Sequence, residues 1–170
     1  MSETKTHQMP MKGKSAHTKP VKEKDVVHQD YIDASNLVVG RMASVVAENL
    51  LRGHYVTIIN AEKAVFTGNP VILVKLWQTR LDLRPRGNPE NAPRFHKMPD
   101  RIVKSIIAGM MPARNMRGRE ALKHLKVFIG KPTGMEKQTF HPVKEAQHDK
   151  IKGTFTVREL SESLGYSLLK

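Results

Sequence analysis

The acidic, histidine and serine side chains that could perform catalytic or metal chemistry are too irregularly spaced in this sequence to form a site. Asp30 and Asp33 stand three apart on a predicted strand, so they point to opposite faces and cannot act as a carboxylate pair. The eight histidines include no i, i+4 pair and no His-Glu-x-x-His motif, so we predict no metal site. Ser35, Ser44 and Ser105 lie in no nucleophile-elbow context. These observations favour a protein that is not an enzyme.

Motifs for binding nucleotides are missing as well. No G-x-G-x-x-G sequence follows the first predicted strand. Residues 130–133, Gly-Lys-Pro-Thr, look like the end of a phosphate loop, but the upstream glycine is absent and Pro132 separates the lysine from the hydroxyl. We therefore interpret this segment as a plain turn, and we predict no cofactor and no small-molecule substrate.

Basic side chains carry the strongest functional signal. The 170 residues include 29 Lys and Arg against 16 Asp and Glu, a net charge of +13. Residues 80–131 alone hold thirteen basic and four acidic side chains, a net +9. Such a charge predicts a polyanionic partner, and the arginine-rich composition suits bidentate phosphate recognition. The predicted RNA-binding residues of this basic region are Arg80, Arg84, Arg86, Arg94, His96, Lys97, Arg101, Lys104, Arg114, Arg117, Arg119, Lys123, Lys126 and Lys131.

Aromatic residues contribute little to this basic region. We assign Trp77 to the core, and we favour packing over base stacking for Phe95. Recognition of folded RNA by shape and phosphate therefore fits better than a single-strand stacking module. Two short helices are predicted within residues 99–124, so a helix-turn-helix motif is a possible interpretation. The connection between them, at 109–118, is however longer than the usual three- to four-residue turn.

Composition excludes several other classes. The chain has no cysteine, so disulfides and thiolate zinc sites are ruled out. No apolar run approaches the length that crosses a bilayer, and the N-terminal residues lack the apolar region of a signal peptide. We therefore expect a cytoplasmic location and no membrane partner.

The basic residues must be positioned by alternating strands and helices. Predicted strands cover residues 31–34, 55–59, 64–66 and 125–129, and predicted helices cover residues 40–52, 71–80 and 118–124. A further helix starts at Pro99, and the last follows a capping box at residues 156–159. This alternation predicts an α/β fold with a largely parallel sheet.

Three regions are predicted along the chain. Residues 1–25 are polar, basic and without periodicity, which predicts a disordered extension. Residues 26–131 form the α/β RNA-binding core, which includes a long polar loop at 82–98. Residues 132–170 comprise an irregular segment and a C-terminal helix that packs on the core.

Several motifs resemble one known family. Residues 109–130 carry Gly-Met-Met-Pro, then Gly-Arg after five residues, then Leu-Lys-Val-Phe-Ile-Gly after five more. Residues 32–44, 59–69 and 156–166 agree in order and spacing. Together they resemble the universal large-subunit ribosomal protein family numbered thirteen, in its archaeal and eukaryotic branch, with the archaeal type favoured.

The resemblance implies a three-layer α/β/α fold around a four-stranded, mostly parallel sheet. It implies a structural constituent of the large ribosomal subunit that binds rRNA and takes part in early assembly. Gly109 and Pro112 would shape a turn ahead of Gly118. The residues that would contact phosphate and sugar are Arg114, Asn115, Arg117 and Arg119. Partners would be large-subunit rRNA and neighbouring large-subunit proteins, without self-association.

Two alternatives remain open at this point. A free-standing regulatory RNA-binding protein could use the same basic surface. A small-ligand enzyme built on an α/β sheet is the more distant alternative, since none of its motifs is present.

Overall fold

The computed structural model describes residues 28–83, 87, 90, 95–135, 138–147 and 153–166. The predicted extension at 1–25 and most of the long polar loop lie outside these ranges. In chain order the elements are β1 (Gln29–Asp33), α1 (Val39–Arg52), β2 (Tyr55–Ile59), β3 (Val65–Thr67), α2 (Pro70–Asp82), α3 (Pro99–Gly109), α4 (Met116–Lys123), β4 (Leu125–Val127), β5 (Thr154–Thr156) and α5 (Val157–Ser163). Short 3-10 turns cover Ala61–Lys63 and Lys144–Ala146.

The main sheet is parallel, with β2 between β1 and β4. Val56 lies opposite Asp30 on one side and Leu125 on the other. The residues of β2 from Val56 to Ile59 are all buried. Because successive side chains of a strand point to opposite faces, both faces of this sheet are covered. The α/β class and the largely parallel sheet are therefore confirmed.

Helix α1 packs on the sheet through an apolar stripe. Met42, Val46 and Leu50 recur every four residues and are fully buried. The helix ends at Gly53, whose positive φ of 99° suits a residue without Cβ, and whose N–H donates to the carbonyls of Asn49 and Leu50.

A second sheet joins two distant parts of the chain. β3 pairs antiparallel with β5, so that Phe66 lies opposite Phe155. β5 leads directly into α5, where Thr156 and Glu159 form the predicted capping box. Val157 and Leu160 are buried and α5 lies against α3.

The prediction of four strands in one sheet is wrong for the part of the chain that is described. That part has three strands in the parallel sheet and two in the antiparallel one. β3 pairs with β5, a Thr-Phe-Thr segment too short to show a strand period in the sequence. The apolar spacing of Ile102, Val103, Ile106 and Ile107 predicts that Met110 is buried with them in α3. Met110 is instead 43% exposed, because the helix ends at Gly109.

Candidate nucleic-acid interface

The outer face of α3 presents two cations on a rigid support. Pro99 begins the helix at a position where its missing N–H costs no hydrogen bond. Ile102 and Val103 are fully buried against the core, whereas Arg101 and Lys104 are exposed. Burial of the apolar side fixes the helix, so the direction of both cations is set by packing.

Two surface hollows lie on either side of these cations. One, of about 380 Å³, is lined by His96 and Ser105 together with Arg101 and Lys104. The other, of about 280 Å³, adds Lys126 of β4 to the same two cations and also contains one anion, Asp100, so its lining keeps a net positive charge. The structure therefore brings together His96, Arg101, Lys104 and Lys126, which we call the α3–β4 basic surface. Ser105 adds a hydroxyl donor that motif analysis did not select, although the helical period places it on the same outward face.

Lys97 is exposed just before α3, and its backbone is held in place. Its carbonyl accepts a 2.6 Å hydrogen bond from the Oγ of Ser161, which is fully buried in α5. The C-terminal helix thus anchors the segment from which His96 and Lys97 project. Sequence inspection could not reveal this contact, because the two partners lie 64 residues apart.

The turn between α3 and α4 is tightly packed against the start of α4. The N–H of Asn115 donates to the carbonyl of Pro112 at 3.1 Å. A Cβ placed on Gly118 would lie 2.9 Å from the carbonyl carbon and the Cγ of Pro112, and closer still to the Pro112 oxygen. A Cβ placed on Gly109 would meet no atom within 4 Å. The short distance to Pro112 therefore requires a residue without a side chain at position 118, whereas no such contact requires one at position 109.

The three arginines of this segment are all exposed, but they differ in their contacts. Nη2 of Arg117 donates to the carbonyl of Leu51 at 2.8 Å, at the end of α1. Nη2 of Arg119 lies 3.1 Å from the sulfur of Met116. Arg114 makes no hydrogen bond to any described residue. Within the described part of the chain, Arg117 therefore has a structural partner and Arg114 has none.

Three further basic residues, Arg80, Lys123 and Lys131, line neither of the two hollows. The guanidinium of Arg80 lies 5.5 Å from the ring centre of Trp77, and the ammonium of Lys131 lies 5.8 Å from that of Phe140. Lys123 is exposed in the last turn of α4. The other three predicted RNA-binding residues lie outside the described residues: Arg84, Arg86 and Arg94.

An acidic network supports the loops at the carboxyl ends of the parallel strands. Burial raises the pKa of Asp33, but hydrogen bonds from Asn60 and Ser35 and the charge of Lys63 outweigh it, so that the pKa lies below its ordinary value of 3.8. Asn60 Nδ2 and Ser35 Oγ donate to the same carboxylate oxygen at 2.9 and 2.7 Å. These contacts hold the end of β1 to the residue that follows β2.

The neighbouring Glu62 extends this network to β4. Its Oε2 accepts the N–H of Gly130 at 2.9 Å, which fixes the loop that carries Lys131. Both carboxylates are thus used as hydrogen-bond acceptors within the fold.

Two other kinds of site are absent from the described residues. Within the described ranges, no group of three His, Asp or Glu side chains could hold a metal ion. The helices in those ranges are also too short or too polar to cross a membrane. The fold and site together define an α/β protein with a preformed, cationic, exposed surface.

Comparisons with known proteins give the family. Residues 28–134 match the family model described as ribosomal protein L13. A relative from Methanopyrus kandleri, named large ribosomal subunit protein uL13, is 38% identical over 157 residues, covering 90% of this chain and 95% of the relative. The uL13 of Archaeoglobus fulgidus is 36% identical, with 79% and 86% covered, and that of Methanosarcina barkeri is 45% identical, with 62% and 74% covered. The chain belongs to the ribosomal protein L13 family, which confirms the resemblance.

Family membership also bears on the function classes considered above. The family consists of structural ribosomal proteins, so the prediction of a non-enzymatic role is confirmed. The relatives named here are archaeal, and the large subunit to which they belong is cytoplasmic in archaea.

Proposed function

We propose that this chain is a structural constituent of the large ribosomal subunit and binds its rRNA through the α3–β4 basic surface and the adjoining α3–α4 turn. The observation that carries the proposal is the convergence of Arg101, Lys104, His96 and Lys126 around two hollows. Their net positive charge favours phosphate, and α3 holds them at fixed spacing before RNA arrives.

The basic surface recognises RNA by shape and phosphate. Arg101 and Lys104 are one helical turn apart on an exposed face, which suits successive contacts along a backbone. Arg114, Arg119 and Asn115 extend the cationic and polar surface toward α4. A-form RNA displays phosphates and 2′-hydroxyls that such donors can contact without reading bases.

We also propose that the chain takes part in early subunit assembly, and the packing of α3 supports this. The buried side of α3 is complete without RNA, because Ile102, Val103 and Ile107 already pack in the core. The surface is therefore formed before binding, and the protein need not order α3 when it contacts rRNA. Neighbouring large-subunit proteins complete the set of partners that we propose.

The test is incorporation of a double variant, Arg101→Ala with Lys104→Ala, into large subunits. A matched control replaces two exposed cations elsewhere, Arg41→Ala with Lys144→Ala. We expect the first variant to co-sediment with large subunits at a markedly reduced level and the control at the wild-type level. Equal recovery of both would contradict the role of the α3–β4 basic surface.

Co-sedimentation of the unaltered protein separates this role from a free-standing regulatory one. A subunit constituent is recovered near stoichiometrically with large subunits and is released only by high salt. Recovery solely in the soluble fraction at low salt would favour the regulatory alternative.

A further inference from the structure

Helix α2 is apolar on nearly every side, but among the described residues it is packed on only one. Its sequence, PVILVKLWQTRLD, contains seven large apolar residues, and Trp77 is the one that is buried. Val71 and Ile72 are 72% and 67% exposed, and Leu76 is 48% exposed. A helix that is hydrophobic all round is normally buried, so this one has a face that lacks a partner within the described residues.

A groove runs beside the exposed face of α2. It has a volume of about 570 Å³ and lies between α2 and the β5–α5 segment. Pro70, Val71, Val74 and Phe155 form its apolar walls. The exposed arc continues past the groove to Ile72 and Leu76, which stand four residues apart on one side of the helix. We call Val71, Ile72, Leu76 and the groove walls the α2 apolar surface.

The charge of the α2 apolar surface differs from that of the rest of the chain. The groove contains one cation, Lys75, and one anion, Glu159, so its net charge is zero in a protein of net charge +13. RNA brings a phosphate with every nucleotide and would find no excess of cations here. A second copy of this chain would bring another +13, and the two copies would repel each other.

We infer that the α2 apolar surface is the docking site for an apolar segment of a different protein of the large ribosomal subunit. A partner of this kind buries Val71 and Ile72 and places aliphatic side chains in the groove against Val74 and Phe155. Gln78 and Ser163 supply polar atoms at the edge, where the partner's backbone or polar side chains can pair. The inference rests on membership of a ribosomal protein family and does not depend on the RNA contacts of the α3–β4 basic surface.

The test is photo-crosslinking within intact, purified large subunits. A benzophenone amino acid replaces Val71 in one preparation and Lys123, an exposed residue that is predicted to bind RNA, in another. We expect position 71 to crosslink to one other large-subunit protein, identified by mass spectrometry, and position 123 to crosslink to rRNA. Crosslinks from position 71 to rRNA, to a second copy or to this chain itself would overturn the inference, as would the absence of any crosslink.

A double variant, Val71→Asp with Ile72→Asp, tests the surface independently. With the photo-reactive group at Leu76, we expect the same protein crosslink to fall tenfold or more, while Ser44→Asp on α1 leaves it unchanged. The melting temperature of the isolated double variant should stay within about 2 °C, because both side chains are exposed. A large loss of melting temperature would place these residues in the protein's own packing and would overturn the inference, as would an undiminished crosslink.

Discussion

Arginines that look alike in the sequence differ in what they contact. Arg114 and Arg117 are both exposed and lie in the same short segment. Only Arg117 donates to a carbonyl at the end of a helix, that of Leu51. The last four carbonyls of a helix have no partner within it, so a cation placed there satisfies one of them and also interacts favourably with the helix dipole.

Replacing Arg117 by Ala should therefore lower the free energy of unfolding by about 0.5–1 kcal/mol, because the Leu51 carbonyl loses its donor. Arg114→Ala is the matched control and should change the free energy of unfolding by less than about 0.5 kcal/mol. Denaturant unfolding of the isolated protein measures both. Equal stabilities for the two variants would show that the Arg117 contact contributes nothing to the fold.

Asp33 provides a prediction for pH. Its pKa is lowered in the folded protein, so the unfolded chain binds the proton more readily. The stabilisation from its ionised form is complete above the ordinary value of 3.8 and is lost as pH falls from there through the lower folded pKa. The Asp33→Asn variant lacks this contribution at every pH.

The measurement for Asp33 is the difference in unfolding free energy between wild type and Asp33→Asn across pH 2.5–7. We expect a constant difference, on the order of 1 kcal/mol, from neutral pH down to about pH 5, and a shrinking one below pH 4. If the difference in unfolding free energy grew as the pH was lowered, the pKa of Asp33 in the folded protein would be raised, not lowered. Asp30→Asn serves as a comparison, because Asp30 interacts with His54 and Asn49 instead.

At the scale of elements, the joint between α3 and α4 depends on one close approach. Gly118→Ala would push a methyl group against the Pro112 backbone, and α4 would have to move. We expect a loss of about 1–3 kcal/mol in the free energy of unfolding. Gly109→Ala meets open space and should be neutral or slightly stabilising. Thermal unfolding of the two variants checks this. Equal melting temperatures would show that the α3–α4 turn moves to accommodate the methyl group with no loss of stability.

Local signals predicted some elements well. An asparagine followed by a proline predicts a helix start, and Asn69 does cap α2 by accepting the N–H of Val71, while Pro70 begins the helix. The capping box of α5 and the buried strand β2 are equally local and were also predicted. These features depend on residues a few positions apart, so a single sequence is enough to identify them.

Features that depend on distant residues were not predictable in the same way. β5 exists because it pairs with β3, and nothing within its three residues shows this. The grouping of Lys126 with Arg101 and Lys104 depends on β4 lying beside α3. The sequence identified these residues by charge alone, and the choice among fifteen candidates required the fold.

At the scale of the whole molecule, the charge distribution predicts strong salt dependence. If roughly ten basic residues contact phosphates, the logarithm of the RNA association constant should fall with the logarithm of salt concentration at a slope of about −7 to −9. The Arg101→Ala, Lys104→Ala variant should reduce the magnitude of that slope by about 2, one unit for each lost phosphate contact. Titrations of a large-subunit rRNA fragment with the isolated protein at 50–300 mM salt give both slopes. Identical slopes would place the two cations away from the phosphates.

The pairing of β3 with β5 has a consequence for how the protein is made. Phe66 and Phe155 face each other across the antiparallel ladder, and Val157 donates its N–H to the carbonyl of Ala64. During synthesis, β3 is made long before β5. The edge of β3 is therefore unpaired, and the apolar side chains that α5 covers are exposed to solvent, until residues 154–163 have emerged from the translating ribosome. Folding can therefore finish only after residues 154–163 have been synthesised. A chain that stops before residue 154 exposes apolar surface that favours aggregation with other proteins.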